Sequence, residues 1–272
     1  MPLFQIVVLA IVQGLTEFLP ISSSAHLALA PWLFGWKDQG LTFDIALHFG
    51  TLAAVAVYFF RDWVQLTAQA FGLNWGSDAE LKKSPRMFWM LAAASLPIGV
   101  LGYIFKDLAE ETLRESHVLI GSMLIGVGIL MAVAEKVGRG RKDVGSITLL
   151  DSMIIGVAQA VAIIPGTSRS GITITAGLFR NVERAAAARF SFLLSTPAIT
   201  AAALKAFLDV RKAGESIDVP QFLIGMSLSA VTGCLVIAFL LSYLRRHSLK
   251  FFIYYRIVFG IIVIALAIVV RH

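Results

Sequence analysis

One cysteine in 272 residues, Cys234, leaves this chain no internal disulfide, and inside an apolar run it reads as a small packing residue. Charge is scarce too. Only 15% of residues are Asp, Glu, Lys or Arg, while 58% are hydrophobic and the mean hydropathy is +0.81. A soluble domain of this size has no use for so much apolar surface, so the composition excludes one and leaves an integral membrane protein. Acidic residues are the rarer sign, 17 against 23 basic, for a net charge of +6. In a membrane protein that surplus belongs to loops facing the cytoplasm, so the expected surroundings are membrane lipid and no nucleic acid is expected as a partner. The N-terminus lacks the basic region of a signal peptide, and the first apolar segment is expected to be retained.

What the sequence does have is organised around PGTSRSGIT, from Pro165 to Thr173. The apolar runs on either side, 154–164 and 172–179, are each about half of the roughly 20 residues that a helix needs to cross a bilayer. The proline, the glycines and the hydroxyl residues Thr167, Ser168, Ser170 and Thr173 break one helix and cap the next. Arg169 sits among them, at a depth where a lone guanidinium is costly. A helix N-terminus beside an arginine and hydroxyl donors is an anion site, and phosphate is the obvious anion. Gly166, Thr167, Ser168, Ser170 and Thr173 are then the candidate contacts. The plainer alternative is an ordinary loop with Arg169 at the membrane surface.

Residues 3–19 form an apolar run that holds Gln13, Thr16 and Glu17 and stops at Pro20. A second short run, 21–36, is opened by Ser22, Ser23 and Ser24 and contains His26. Full spans are expected at 41–60, 87–105, 117–134, 188–207, 219–243 and 251–270. Between them, 61–86 reads as a polar loop and 135–147 as a basic, glycine-rich connector. Gly225, Ser229 and Gly233 recur every four residues, a face that lets helices pack closely. Arg256 is expected to reach back to the cytoplasmic head groups.

The two halves resemble each other. A shift of 146 positions lays Gln13 on Gln159, Ser22 on Ser168 and Ser24 on Ser170, and a shift of 147 lays Phe43 on Phe190. Each broken element is followed by three spans. If the N-terminus is outside and both broken elements re-enter on the side they left, the cytoplasmic segments hold 14 basic residues and the opposite side 7. That bias favours the arrangement. Three spans per half also force the second half to be inverted. The expectation is an all-α polytopic membrane protein, a single membrane domain over 1–272 with repeats at about 1–135 and 148–272. It has six transmembrane helices and two re-entrant helix hairpins, whose tips, Pro20–Ser24 and Pro165–Ser170, meet near the midplane in an inverted-topology repeat.

The first tip offers Gln13 and Glu17 one turn apart, then Ser22, Ser23 and Ser24, with His26 on the face of Ser22 and Ser23. The second offers Arg169. Together they supply a carboxylate for a metal or a proton, a hydroxyl and an imidazole, a guanidinium and two helix N-termini, the parts needed to break a phosphoanhydride bond. Residue types alone leave the nucleophile open. Serine triplets also serve as mere caps, and Asp44 and His48, one turn apart on the next span, read first as an interfacial polar patch.

QGLTEFLPISSSAH and PGTSRSGIT strongly resemble the two signature regions of the bacterial undecaprenyl-diphosphate phosphatase family, the bacitracin-resistance proteins. ARFSFLLSTP at 188–197, SLPIGVLG at 95–102 and IYYRIV at 253–258 extend the likeness over nearly the whole chain. The resemblance implies hydrolysis of undecaprenyl diphosphate, a polyprenyl diphosphate lipid, to undecaprenyl phosphate and inorganic phosphate, with the site open to the outer, periplasmic face of the bacterial inner membrane. It implies help from a divalent cation, Mg²⁺ or Ca²⁺, at Glu17 and Gln13, with Ser23, His26 and Arg169 as further functional positions. Ser24 and Ala25 stand where many members have Thr-Gly, and Gln13, unlike a carboxylate, brings no charge to a metal. A transporter or lipid-carrier flippase is the rival class, since inverted repeats with broken helices are common in carriers. A type-2 phosphatidic acid phosphatase-like enzyme fails on spacing, because Thr175 stands where its histidine is needed. A homodimer is one assembly that the sequence permits.

Overall fold

The computed structural model describes residues 2–37, 41–105, 113–213 and 218–270. Lys106 and Arg271, counted above with the outer loops, lie outside them. Among the described residues the chain is helical and has no strand. The first half runs α1 (Leu3–Phe18), α2 (Ser23–Phe34), α3 (Leu41–Tyr58), α4 (Phe60–Ala70), α5 (Ala79–Lys82), α6 (Met87–Ile104) and α7 (His117–Val137). The second runs α8 (Leu149–Ala160), α9 (Arg169–Phe179), α10 (Arg184–Ala213), α11 (Val219–Leu244) and α12 (Lys250–Val270).

Among the described residues five helices, α6, α7, α10, α11 and α12, are long and apolar enough to cross a membrane, and α3 with α4 makes a sixth candidate bent by 69°. The bend corrects the expectation of a polar loop over 61–86. That stretch opens with α4, whose Gln65 and Leu66 are buried while Phe60 stays exposed, the two-faced pattern of a helix lying along an interface. Gln65 then holds the following loop, exchanging hydrogen bonds with the backbone N–H and C=O of Asp78 at 3.0 and 2.9 Å. Arg189 on α10 grips α4 through Asp62 (2.6 Å) and the loop after it through Asp78 (2.9 Å).

Neither α1 nor α8 is long enough to cross. At 1.5 Å per residue, the 16 residues of α1 reach only about 24 Å, short of a hydrocarbon core of about 30 Å. The same pairing recurs in both halves, with α1 packed on α11 and α8 on α6. The small face of α11 works as expected. Ser229 donates to the Leu47 carbonyl at 3.0 Å, and a Cβ on Gly50 of α3 would stand 2.3 Å from the Met226 carbonyl, so only glycine lets these backbones meet.

Candidate active site

Both short helices end at breaks built alike. After Pro20 the chain turns through Ser22 at φ 78°, and after Pro165 through Gly166 at φ 90° and Ser168 at φ 67°. A positive φ is strained for a residue with a Cβ, by about 1–3 kcal/mol. Each serine uses that turn to cap the next helix, Ser22 accepting from the Ala25 N–H (3.4 Å) and Ser168 from the Gly171 N–H (3.1 Å). Ser22 also meets Ser24 at 3.1 Å, and Ser168 meets Ser170 at 3.2 Å. Gly166 is obligatory for a second reason: a Cβ there would lie 2.5 Å from the Ile120 carbonyl.

The tips touch. Ser170 donates to the Leu19 carbonyl at 3.0 Å, and the Gly166 N–H reaches Ser24 Oγ at 3.5 Å. Arg169 Nη2 pairs with Glu17 Oε1. The other carboxylate oxygen, Glu17 Oε2, accepts from Ser23 Oγ at 2.6 Å and from Gln13 Nε2 at 3.1 Å. The structure thus brings Gln13, Glu17, Ser23 and Arg169 into one connected cluster. Glu17 and Gln13 are buried, Ser23 and Arg169 partly exposed and Ser24 exposed, while the second guanidinium nitrogen of Arg169, Nη1, is buried without a hydrogen-bond partner.

The remaining hydroxyls are engaged inside the protein. Thr167 donates to the Val161 carbonyl at 3.2 Å, and Thr173 donates to the Arg169 carbonyl (2.7 Å) and meets Ser191 at 2.6 Å. No hydrogen bond joins Ser23 to His26 among the described residues. His26 Nδ1 lies 2.7 Å from the Ser22 carbonyl, which can only accept, so Nδ1 carries the hydrogen. In the neutral ring Nε2 then accepts from the Tyr255 hydroxyl at 2.7 Å. Asp44 is tied to Arg114 at 2.7 Å, and His48 Nδ1 donates to the Asp44 carbonyl at 2.8 Å.

Two residues of α12 escape a reading by residue type. Tyr255 orients His26, and Arg256, expected at the head groups, is instead fully buried. Its guanidinium donates to the carbonyls of Pro20 (3.1 Å), Gly166 (2.9 Å), Thr167 (2.9 Å), Leu124 (3.2 Å) and Met123 (3.3 Å). One side chain therefore braces both tips against α7. The usable signal was an arginine six residues into an apolar run, since a charge at membrane depth is functional by default. Arg256→Leu strands these carbonyls at about 1–3 kcal/mol each, so thermal melting in detergent should show a loss of about 3 kcal/mol or more. An unchanged melting curve would contradict the bracing role.

Fold and site together define a polytopic α-helical membrane protein with a carboxylate, a hydroxyl and a guanidinium linked where two broken helices meet. The model of the bacitracin resistance protein BacA family matches residues 6–262. This chain belongs to that family. It is 50% identical over 264 residues to an undecaprenyl-diphosphatase of Desulforudis audaxviator, covering 97% of each chain. It is 46% identical over 265 residues to one of Moorella thermoacetica, covering 97% of this chain and 98% of the other.

Proposed function

We propose that the protein hydrolyses undecaprenyl diphosphate to undecaprenyl phosphate and inorganic phosphate, recycling the lipid carrier of cell-wall synthesis and conferring bacitracin resistance. The observation that carries this reading is the continuous contact Arg169–Glu17–Ser23 between the two tips. Glu17 accepts the Ser23 proton as Ser23 Oγ attacks the terminal phosphorus, and passes it to the departing undecaprenyl phosphate as the P–O bond breaks. Water then cleaves the phosphoserine, with Glu17 as the base again, and frees phosphate. Arg169 leaves Glu17 for two phosphate oxygens, its planar fork matching them better than a point charge would. The N-termini of α2 and α9 add partial positive charge. His26, with both ring nitrogens engaged, anchors the start of α2; this reading favours Ser23 over His26 or a directly attacking water as the nucleophile.

A divalent cation fits this donor set in one way. No three His, Cys, Asp or Glu side chains among the described residues converge on a point. Glu17 and the buried, unpartnered Oε1 of Gln13 offer an all-oxygen pair, which suits Mg²⁺ or Ca²⁺ completed by phosphate oxygens. Such an ion supplies charge neutralisation on the transferred phosphoryl group. Phosphate release from long prenyl diphosphates by purified protein is the test, run with and without chelator. Substrate cleavage that chelator abolishes is expected. No release from any prenyl diphosphate would overturn the function, and full release in excess chelator would remove the cation while leaving the hydrolysis.

The proposal includes an inverted repeat, 1–135 against 148–272, supported by the paired serine caps and the matching helix packing of the two halves. It places the protein in the inner membrane with its site open to the periplasmic face. The exposed Lys82 and Arg139 then face the cytoplasm. Lys82→Cys and Arg139→Cys, each in a Cys234→Ser background, should resist an impermeant maleimide in intact cells and react once cells are opened. Reaction in intact cells would reverse the orientation.

A further inference from the structure

Away from the tips, the end of α4 and the beginnings of α6 and α8 enclose a groove of about 530 Å³, a size typical of small-molecule sites. Its lining is divided. Ala70, Pro85, Trp89, Met90 and Leu149 make apolar walls, and Gln69 and Arg86 are its polar groups. Arg86 is exposed, stands just before the first residue of α6 without capping it, and meets no carboxylate among the described residues. Gln69 Oε1 has no hydrogen-bond partner.

Depth in the membrane decides what would enter. The apolar helix α6 begins at Met87 and its 18 residues reach about 27 Å, close to the hydrocarbon thickness, so Arg86 stands at the level of lipid phosphates. A chain of rings marks the same level. Trp63 meets Phe88 at 6.3 Å, Phe88 meets Trp89 at 5.1 Å, and Trp89 meets Phe71 at 6.4 Å, with Phe71, Trp89 and Leu149 exposed. Aromatic rings collect at the membrane–water interface. A molecule that suits this groove has an anionic phosphodiester, hydroxyls in its head group and an apolar tail running along Trp89 and Leu149.

We propose that the groove binds one anionic phospholipid of the phosphatidylglycerol type. Arg86 holds the phosphodiester with its planar fork, and Gln69 turns its buried, unpartnered Oε1 outward to accept from a head-group hydroxyl. The site is separate from the catalytic tips and does not depend on the proposed hydrolysis.

The experiment titrates purified, delipidated protein in detergent with phosphatidylglycerol or phosphatidylcholine and counts retained lipid by native mass spectrometry. One phosphatidylglycerol should be retained in preference to phosphatidylcholine. Arg86→Gln should lower its retention about fivefold, the weight of one basic residue at an anionic surface, and remove the preference. Trp89→Ala should weaken both lipids, and Arg86→Lys should keep the preference with reduced retention. Lys82→Gln, which removes an exposed cation outside the groove, should change nothing. Equal retention by wild type and Arg86→Gln would overturn the site, and so would an equal loss in Lys82→Gln. Displacement of the lipid by millimolar inorganic phosphate would overturn the phospholipid as occupant. Phosphate release by each variant, expected at the wild-type rate, shows that it is folded.

Discussion

Arg169→Lys inserts and melts like the wild type yet loses about 100-fold or more in turnover, the scale on which a preorganised donor to a developing oxyanion matters. Lysine keeps the charge beside Glu17 and loses the fork, so the substitution separates charge from geometry. Arg169→Ala should lose more, because it also frees Glu17 from its partner. The measurement is phosphate release from monodisperse protein at saturating substrate. The fork is also expected to act mainly on the transferred group, so turnover should fall more than apparent affinity. Near-normal turnover in a well-folded Arg169→Ala would mean that the phosphoryl group is held elsewhere.

Ser23 and Glu17 are expected to behave as one unit. Ser23→Ala removes the nucleophile, while Glu17→Gln keeps nearly the same shape but takes away the proton acceptor 2.6 Å from Ser23 Oγ. Losing a base and its nucleophile costs about 10²-fold or more. The double substitution should be scarcely worse than the worse single one, since residues that act together are strongly non-additive. Quenching a reaction with substrate labelled in the terminal phosphate should trap label on the wild-type chain and none on Ser23→Ala. Ser23→Ala retaining a tenth of wild-type turnover would point to a water as the attacking group.

Much of this was legible in the residues. Apolar runs of spanning length, the half-length runs ending at Pro20 and Pro165, and the serines that cap the next helix each follow from local rules of length and capping. Gln13, Glu17, the serine triplet and Arg169 were also named from residue type and spacing, and the family resemblance singled out Ser23. The helix α4 was hidden because its charges read as a loop, while its pattern is that of a surface helix. His26 was placed on the right face but with the wrong neighbour, since the partner that fixes its ring, Tyr255, is 229 residues away. Arg256 was misplaced for a related reason. A long side chain near a span end can snorkel or turn inward, and the carbonyls that draw it inward exist only once both tips have formed.

The bracing by Arg256 limits how the site admits its lipid. The tips are tied to each other through Ser170 and Ser24 and tied to α7 through the buried guanidinium, so swinging them apart as two jaws would break all of these bonds. What is free to move is a side chain. At rest the partly exposed Arg169 is latched onto Glu17, which ties up the proton acceptor and the phosphate clamp at once. An arriving diphosphate offers the guanidinium a more highly charged partner, and releasing the latch frees one oxygen of Glu17 in the same movement. On the proposed mechanism, entry of the substrate takes the guanidinium off Glu17 as it binds it, and an empty site leaves the two charges neutralising each other.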